Sequence, residues 1–287
     1  MPGVVLITND SVHGQRVLHT VRQRGIVLDA VLYLTGSLGM PAPRAGRGLG
    51  DRVLRWPRFA ASAVKRRVVF HRRRKASYAA LCARVIGTGG MNSRRLLRDL
   101  RALAPDWIIL GGGGILRPEV IETARLGVLN VHPALLPWIR GCGITGASLE
   151  HGVALGATLH RVDREIDTGA VVERRLVAAG PGDTHLGDLE LACHQLAAEM
   201  MADAVEGIVR RGETPAGVPQ TVRYPLFRWP DDVGMRRHHA LAAAGRAHAL
   251  YEAWRPLCAD AARGILPPGP IDPPPTLTLE PVATSAR

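Results

Sequence analysis

The sequence has few of the features that mark specialised classes of protein. Four cysteines, Cys82, Cys142, Cys193 and Cys258, form no Cys-x-x-Cys pair, so neither a zinc cluster nor a disulfide framework is indicated. No apolar run approaches the ~20 residues of a membrane-spanning helix. The N-terminus has no charged region followed by an apolar signal core. We therefore expect a reduced, cytoplasmic protein without a membrane segment.

Aromatic residues are scarce, at 4% of the chain, whereas basic residues are abundant and unevenly placed. The net charge is +12, and the segment Arg44–Lys75 alone has 12 Lys or Arg and one acidic residue, Asp51. Trp56 and Phe70 interleave with these arginines, a pattern that suits nucleic acid, a nucleotide or another anionic substrate. A solvated insertion pinned to the protein by its few aromatic residues explains the same pattern.

The order of apolar segments indicates an α/β protein. Apolar runs at residues 4–8 and 27–34 flank a helical pattern at residues 12–24. Strand, helix and strand within about 35 residues predict a parallel βαβ unit. The first turn lacks the Gly-x-Gly-x-x-Gly pattern, so a dinucleotide site is not expected there. We predict a Rossmann-like, doubly wound, mostly parallel sheet with a small helical C-terminal extension.

The predicted organisation has three parts. Residues 1–180 form a Rossmann-like catalytic domain with a basic insertion at residues 40–78. Residues 181–264 form the helical C-terminal extension, which includes a helical pattern at residues 234–262. Residues 265–287 are rich in proline and lack a core pattern, which predicts a disordered tail. An exposed apolar face on the helix at 234–262 would suit a homodimer.

The segment Gly127–Pro137 places two polar side chains at the end of an apolar run. Residues i and i+2 of a strand project from the same face, so Asn130 and His132 are expected to face one space. Pro133 stops the strand, because proline cannot donate to a ladder. An amide beside a titratable imidazole suits acyl or proton-transfer chemistry. A capped strand end with a satisfied Asn and His explains the pair equally.

Two further segments offer partners for this pair. The glycines at 111–114 follow an apolar run, and glycine lets a backbone approach a ligand closely or take positive φ. A later loop carries Asp163 and Asp167, the second followed by Thr-Gly; such an Asp is commonly a backbone cap. His238 and His239 have no acidic or cysteine partner at ligand spacing, so no metal site is predicted.

The order and spacing of these motifs resemble those of the folate-dependent formyltransferases, which include the methionyl-tRNA, glycinamide ribonucleotide and amino-sugar enzymes. The motifs are Asn130-Val131-His132-Pro133-Ala134-Leu135-Leu136-Pro137, then Arg140-Gly141, then Asp167-Thr168-Gly169. In that family the first reads Asn-[Ile/Val/Leu]-His-Pro-x-Leu-Leu-Pro and the last Asp-x-Gly. The resemblance covers roughly residues 3–225. It implies the formyltransferase fold and transfer of a formyl group from 10-formyltetrahydrofolate to a primary amine.

The resemblance also implies roles for individual residues. Asn130, His132 and Asp167 match the family's catalytic trio, in which an amide and an imidazole stabilise an oxyanion and move a proton. His160 and Arg161 are implied to support this trio. The residues implied to bind the folate donor are Gly113, Gly114, Ile115, Leu116, Asp163 and Asp167.

The expected acceptor is the amine of a small molecule, such as an amino sugar or an amino acid, and the basic segment would suit an anionic one. Residues 228–287 are shorter and more helical than the β-barrel domain that the resemblance implies for the initiator-tRNA enzyme, so a nucleic-acid acceptor is not expected. Two alternatives stay open. One is a formyltetrahydrofolate hydrolase or deformylase that uses water, and the other is a basic nucleic-acid-binding protein on a degenerate formyltransferase scaffold.

Overall fold

The computed structural model describes residues 3–9, 11–35, 84–112 and 114–282, together with Tyr78 and Cys82. The basic insertion predicted at residues 40–78 lies outside the described residues, apart from Tyr78. Gly113, one of the predicted donor-binding residues, also lies outside them. Within the described part, no helix is both long enough and apolar enough to cross a membrane.

The strands are β1 (Val4–Thr8), β2 (Ala30–Leu34), β3 (Val85–Thr88), β4 (Trp107–Gly111), β5 (Gly127–His132), β6 (Arg140–Gly141), β7 (Gly156–Arg161), β8 (Val171–Leu176), β9 (Leu226–Phe227) and β10 (Ile265–Leu266). The helices are α1 (Val12–Gln23), α2 (Arg94–Leu103), α3 (Pro118–Ile121), α4 (Ile144–His151), α5 (Leu186–Arg211), α6 (Asp232–Ala243) and α7 (Arg246–Trp254). A short 3₁₀ helix, Arg255–Leu257, follows α7.

The main sheet of the described residues is mixed, in the order β10-β8-β7-β5-β4-β1-β2-β3. The pairs from β3 through β2, β1 and β4 to β5 are parallel, whereas β5, β7, β8 and β10 pair antiparallel. Strands β6 and β9 form a separate parallel pair. The predicted α/β fold with a mostly parallel sheet is confirmed.

Burial on both faces explains why the central strands are continuous apolar runs. Every residue of β1, β2 and β4 is buried. Helices α1 and α5 cover one face, where Val17 and Val205 share a core with Leu6. Helices α2 and α3 contribute Leu96 and Val120 to the core on the other face. The parallel strands all end at the same edge of this sheet. In α/β proteins a binding site commonly forms at that carboxyl edge.

Helix α5 belongs to the sheet core as well as to the C-terminal region. Its residues Ala197, Met201 and Val205 pack in one cluster with β1 and α1. Its first turns contribute Leu186 and Leu189 to a second cluster, which also contains residues of α7. The boundary predicted at residue 180 therefore does not separate two hydrophobic cores, because α5 is part of both.

The helical pattern at residues 234–262 forms two helices. Gly245, at φ +72°, separates α6 from α7, and glycine takes this conformation without steric penalty. The ring of Trp254 in α7 meets that of Trp138 edge-on, with centroids 4.9 Å apart. Its Nε1–H donates to the carbonyl oxygen of Gly152 at 3.0 Å. The extension is thus packed against the segment that follows the Asn-His motif.

The disordered tail expected at residues 265–287 is wrong for residues 265–282. Strand β10 pairs with β8. Arg174, which is buried, donates to the carbonyl oxygens of Pro267 and Gly269. A proline-rich segment has few backbone donors but keeps its carbonyl acceptors, and a buried guanidinium needs such acceptors. Composition alone does not reveal this pairing.

Candidate active site

Strand β5 carries the predicted pair to the carboxyl edge of the sheet. Asn130 lies opposite His160 of β7 in the antiparallel register, and His132 lies opposite Thr158. Both residues line the same cavity, as their i, i+2 spacing predicts. Asp167 lines this cavity too, so the structure brings the three residues of the predicted trio together.

His132 is buried, and its two ring nitrogens have different surroundings. Nε2 lies 2.9 Å from the carbonyl oxygen of Ile139. Because a carbonyl can only accept, Nε2 carries the hydrogen of the neutral ring. Nδ1 lies 3.6 Å from Oδ2 of Asp167, beyond direct hydrogen-bond distance. Nδ1 therefore holds a free lone pair next to a carboxylate, which is the position of a general base.

The backbone at Asp167 is held in an uncommon conformation. Its φ is +56°, in the left-handed region that residues other than glycine rarely adopt. The Gly141 N–H donates to Oδ2 of Asp167 at 2.9 Å. Gln220 donates to the Asp167 carbonyl oxygen at 3.1 Å, and Arg140 donates to that of Ile166 at 2.7 Å. Such strain persists where the surrounding contacts enforce it, commonly at functional sites.

The pKa of the Asp167 carboxyl lies below its ordinary value. Burial acts to raise this pKa, but the imidazoles of His132 and His160, the Gly141 N–H and the Arg140 guanidinium lower it by more. The carboxylate consequently stays ionised at neutral pH. An ionised carboxylate beside Nδ1 stabilises the imidazolium that forms when His132 takes a proton.

His160 orients the amide of Asn130. Its Nδ1 lies 2.9 Å from the carbonyl oxygen of Arg161, so Nδ1–H donates there. Nε2 then accepts from Nδ2 of Asn130 at 3.1 Å. Burial lowers the pKa of His160, which favours the neutral form that this acceptor role requires. The amide of Asn130 keeps one N–H and its oxygen for a ligand.

A cavity of about 940 Å³, called here the main cavity, opens in front of these residues. This volume lies within the range of about 300–1,000 Å³ for small-molecule sites. One part of its lining is apolar, with Leu110, Leu116, Val162 and Ile166. The chain therefore combines an apolar surface with a base, an amide donor and a carboxylate in one pocket.

The predicted donor-binding residues within the described part all line the main cavity. Gly114 is exposed, Ile115 is 61% exposed and Leu116 is buried. The carboxylate of Asp163 accepts from Thr168 Oγ1 at 2.7 Å and from the Glu165 N–H at 3.1 Å. Asp163 thus caps its own loop as well as facing the cavity. Donor binding by these residues stays a prediction.

Sequence reasoning missed two further histidines in the lining, His13 of α1 and His194 of α5. Their ring centroids are 5.6 Å apart. Burial, with the charges of His194, His132 and Arg16, lowers the pKa of His13 to about 4. No sequence motif connects the two residues, because only the packing of α1 against α5 brings them together.

A smaller cavity of about 240 Å³ adjoins the main one. His132, His194 and Trp229 line both cavities. The start of α4, including Thr145, and Glu190 of α5 form other parts of the smaller lining. No residue of the loop from Asp163 to Asp167 contributes to it. His132 is therefore reached from two separate spaces.

Residues 65–205 match the family model described as Formyl transferase. A methionyl-tRNA formyltransferase of Burkholderia orbicola is 33% identical over 181 residues, which are 62% of this chain and 52% of that protein. The corresponding protein of Burkholderia multivorans is 32% identical over 185 residues, or 64% of this chain and 53% of that protein. The chain spans about half the length of these curated relatives.

Two solved structures are similar in fold. The N-formyltransferase of Helicobacter canadensis, in complex with folinic acid and dTDP-3-aminofucose, has a TM-score of 0.53 and 12% identity, covering 85% of this chain and 81% of that chain. A sugar N-formyltransferase from a Shewanella species has a TM-score of 0.52 and 12% identity, covering 84% and 87%. These two likenesses concern the fold alone. The family match over residues 65–205 and the relatives at 32–33% identity make this chain similar in sequence to formyltransferases.

Proposed function

We propose that this protein transfers a formyl group from 10-formyltetrahydrofolate to the primary amine of a small molecule. The observation that carries the proposal is the arrangement of Asn130, His132 and Asp167 beside the main cavity. An amide N–H stabilises developing negative charge, an imidazole with a free nitrogen accepts a proton, and a carboxylate stabilises the resulting cation. Transfer of an acyl group to an amine is accelerated by each of these three effects.

The main cavity suits a reduced folate in its chemistry. Leu116, Val162 and Ile166 offer an apolar surface to a flat ring, and Asp163 adds a hydrogen-bond acceptor. Gly112 has a φ of +76°, and a Cβ there would lie 2.3 Å from Ser11 Oγ, so only glycine fits at this turn. The turn brings backbone into the lining, where its N–H and C=O groups can meet ring heteroatoms. When bound, the folate supplies an activated formyl carbon.

Each residue of the trio then has a separate role in the reaction. His132 Nδ1 takes a proton from the amine nitrogen as that nitrogen bonds to the formyl carbon. The free N–H of Asn130 donates to the formyl oxygen, which gains negative charge. Asp167 faces the imidazolium of His132 across 3.6 Å and stabilises it. The proton on Nδ1 is then available to the nitrogen that leaves.

The first test is calorimetric binding of 5-formyltetrahydrofolate to the wild type and to Gly114→Trp. A Cβ at Gly114 meets no atom within 4 Å, and this residue lines the main cavity. The indole should therefore occupy the cavity without straining the protein, weakening binding about tenfold or more, which is about 1.4 kcal/mol. Gly182→Trp is the matched control, because its Cβ also meets nothing within 4 Å and it lies outside the lining. Failure of the wild type to bind, or equal loss in both variants, would contradict a folate site.

A turnover assay separates the acceptors. Release of tetrahydrofolate from 10-formyltetrahydrofolate is followed with a panel of small amines, with initiator methionyl-tRNA and with water alone. We expect release to depend on a small amine. Equal release in water would favour a hydrolase, and release only with the charged tRNA would favour the acceptor of the curated relatives. Either result would overturn the small-molecule acceptor.

We expect His160→Phe to lower kcat about 10- to 100-fold, because a displacement of about 1 Å at a reacting group costs on the order of 100-fold. Phenylalanine keeps the ring but cannot accept from Asn130 Nδ2. The KM for the folate donor should change little, since His160 acts through Asn130. Steady-state kinetics measure both values. The control is His239→Phe, the same substitution at an exposed histidine. Equal kcat in the two variants would show that His160 does not position the amide.

A further inference from the structure

We infer that the acceptor amine carries several hydroxyl groups and is recognised by His13, His194 and Thr145 beside His132. This inference rests on the proposed function and names the substrate class of the same site. A ligand of this kind would occupy the smaller cavity and the adjoining part of the main cavity. Its amine would approach His132 from there.

The two cavities divide the space around His132. The apolar surface of Leu116, Val162 and Ile166 belongs to the main cavity alone. The smaller cavity is bounded by the start of α4, the first turns of α5 and α6. A formyl donor held against the apolar surface therefore leaves the smaller cavity open. An acceptor in that cavity meets the donor at His132.

Three helices bring unsatisfied polar atoms to this acceptor side. Both ring nitrogens of His13, on α1, are buried without a hydrogen-bond partner. The same holds for Nδ1 of His194, on α5, and for Oγ1 of Thr145, on α4. His13 is only 8% exposed and Thr145 only 5%. Buried polar groups are almost always paired in native proteins, so a ligand that supplies the partners explains this cluster.

The chemistry of these atoms favours hydroxyl groups over a charged group. His13, with its pKa at about 4, is neutral at neutral pH and offers one N–H and one lone pair. The Thr145 hydroxyl likewise donates and accepts. A ligand hydroxyl matches both roles. Glu190 lines the smaller cavity and can accept from a hydroxyl, whereas it would repel an anion. Arg228 lines the main cavity but not the smaller one, and Arg16, whose charge acts on His13, lines neither cavity.

An exposed aromatic ring completes the surface. Trp229 is 69% exposed and lines both cavities. A flat indole next to hydrogen-bonding side chains can cover the C–H face of a saturated ring. Hydroxyls for the imidazoles and Thr145, a ring face for Trp229 and an amine for His132 together describe an amino sugar.

The test measures binding of three amines to wild-type protein saturated with 5-formyltetrahydrofolate. D-glucosamine is the amino hexose, cyclohexylamine has the ring and amine without hydroxyls, and glycine is a small amine that carries a carboxylate. Thr145→Val and His13→Phe keep the side-chain shape and remove the polar atoms. Ser148→Ala is the matched control, because Ser148 Oγ is also buried without a partner but lines neither cavity.

We expect D-glucosamine to bind the folate-loaded protein, and we expect Thr145→Val and His13→Phe each to weaken this binding about tenfold. Ser148→Ala should leave binding unchanged, and all variants should keep the folate affinity of the wild type. Equal binding of cyclohexylamine or glycine, equal effects of Thr145→Val and Ser148→Ala, or no binding of D-glucosamine would overturn the inference. Failure of the wild-type protein to bind 5-formyltetrahydrofolate would instead contradict the proposed function.

Discussion

Asp167→Asn should lower kcat by about 10⁴-fold, the loss seen when the imidazole base of a Ser-His-Asp triad loses its carboxylate. The carboxylate lies 3.6 Å from His132 Nδ1 and stays ionised, because its neighbours hold its pKa below the ordinary value. Asparagine has nearly the same shape, and its side-chain oxygen can still accept from the Gly141 N–H. The substitution therefore removes the charge that stabilises the imidazolium and leaves the loop in place.

Steady-state kinetics with the best amine of the panel measure this effect. Asp163→Asn is the matched control, because it removes a carboxylate from the same loop at a position bonded to Thr168. We expect that variant to change the KM of the donor more than kcat. A kcat for Asp167→Asn within about threefold of the wild type, with an unchanged thermal midpoint, would show that the Asp167 carboxylate does not take part in the reaction. A rate ratio of that size corresponds to less than about 1 kcal/mol in activation free energy.

The placement of Asn130 and His132 in one space was predictable because its signal is local: two residues on one face of a strand must face one space. Asp167 was added to this pair only by the resemblance of its Asp-Thr-Gly motif to that of a known family. The contacts that hold the loop at Asp167 were not predictable, since Arg140 donates to the Ile166 carbonyl oxygen and Gln220 to that of Asp167 from other parts of the chain. Local sequence shows which groups are present, and tertiary packing decides which of them meet.

Three histidines show the same limit. His132 has a carboxylate beside Nδ1, His160 has an amide at Nε2, and neither nitrogen of His13 has a partner. The first can act as a base, the second as a support and the third as a contact for a ligand. The sequence alone does not distinguish the three side chains, so only their neighbours in the fold separate their roles.

The C-terminal region was mispredicted for a related reason. Proline-rich composition indicates disorder when the sequence shows no partner for the segment, yet Arg174 donates hydrogen bonds to two carbonyl oxygens of this segment. The same guanidinium donates to the Leu136 carbonyl oxygen at 2.6 Å. One buried arginine thus connects the last segment to the Leu-Leu-Pro part of the motif.

Trp254→Ala should lower the free energy of unfolding by about 3–5 kcal/mol, the usual loss for a large aromatic side chain removed from a core. Trp254 is fully buried, meets Trp138 edge-on and donates to the Gly152 carbonyl oxygen at 3.0 Å. The substitution leaves a cavity where α7 packs against the segment after the Asn-His motif, and the Gly152 carbonyl oxygen keeps only its hydrogen bond from Thr276 Oγ1.

Urea denaturation followed by circular dichroism measures the loss, with Trp229→Ala as the matched control. Trp229 is 69% exposed, so its removal should change the free energy of unfolding by no more than about 0.5 kcal/mol. Because Trp138 lies between the motif and Arg140, which holds the Asp167 loop, the Trp254 variant should also lose activity before it unfolds. A loss below about 1 kcal/mol, or an equal loss in both variants, would mean that the helical extension adds little to the core around the site.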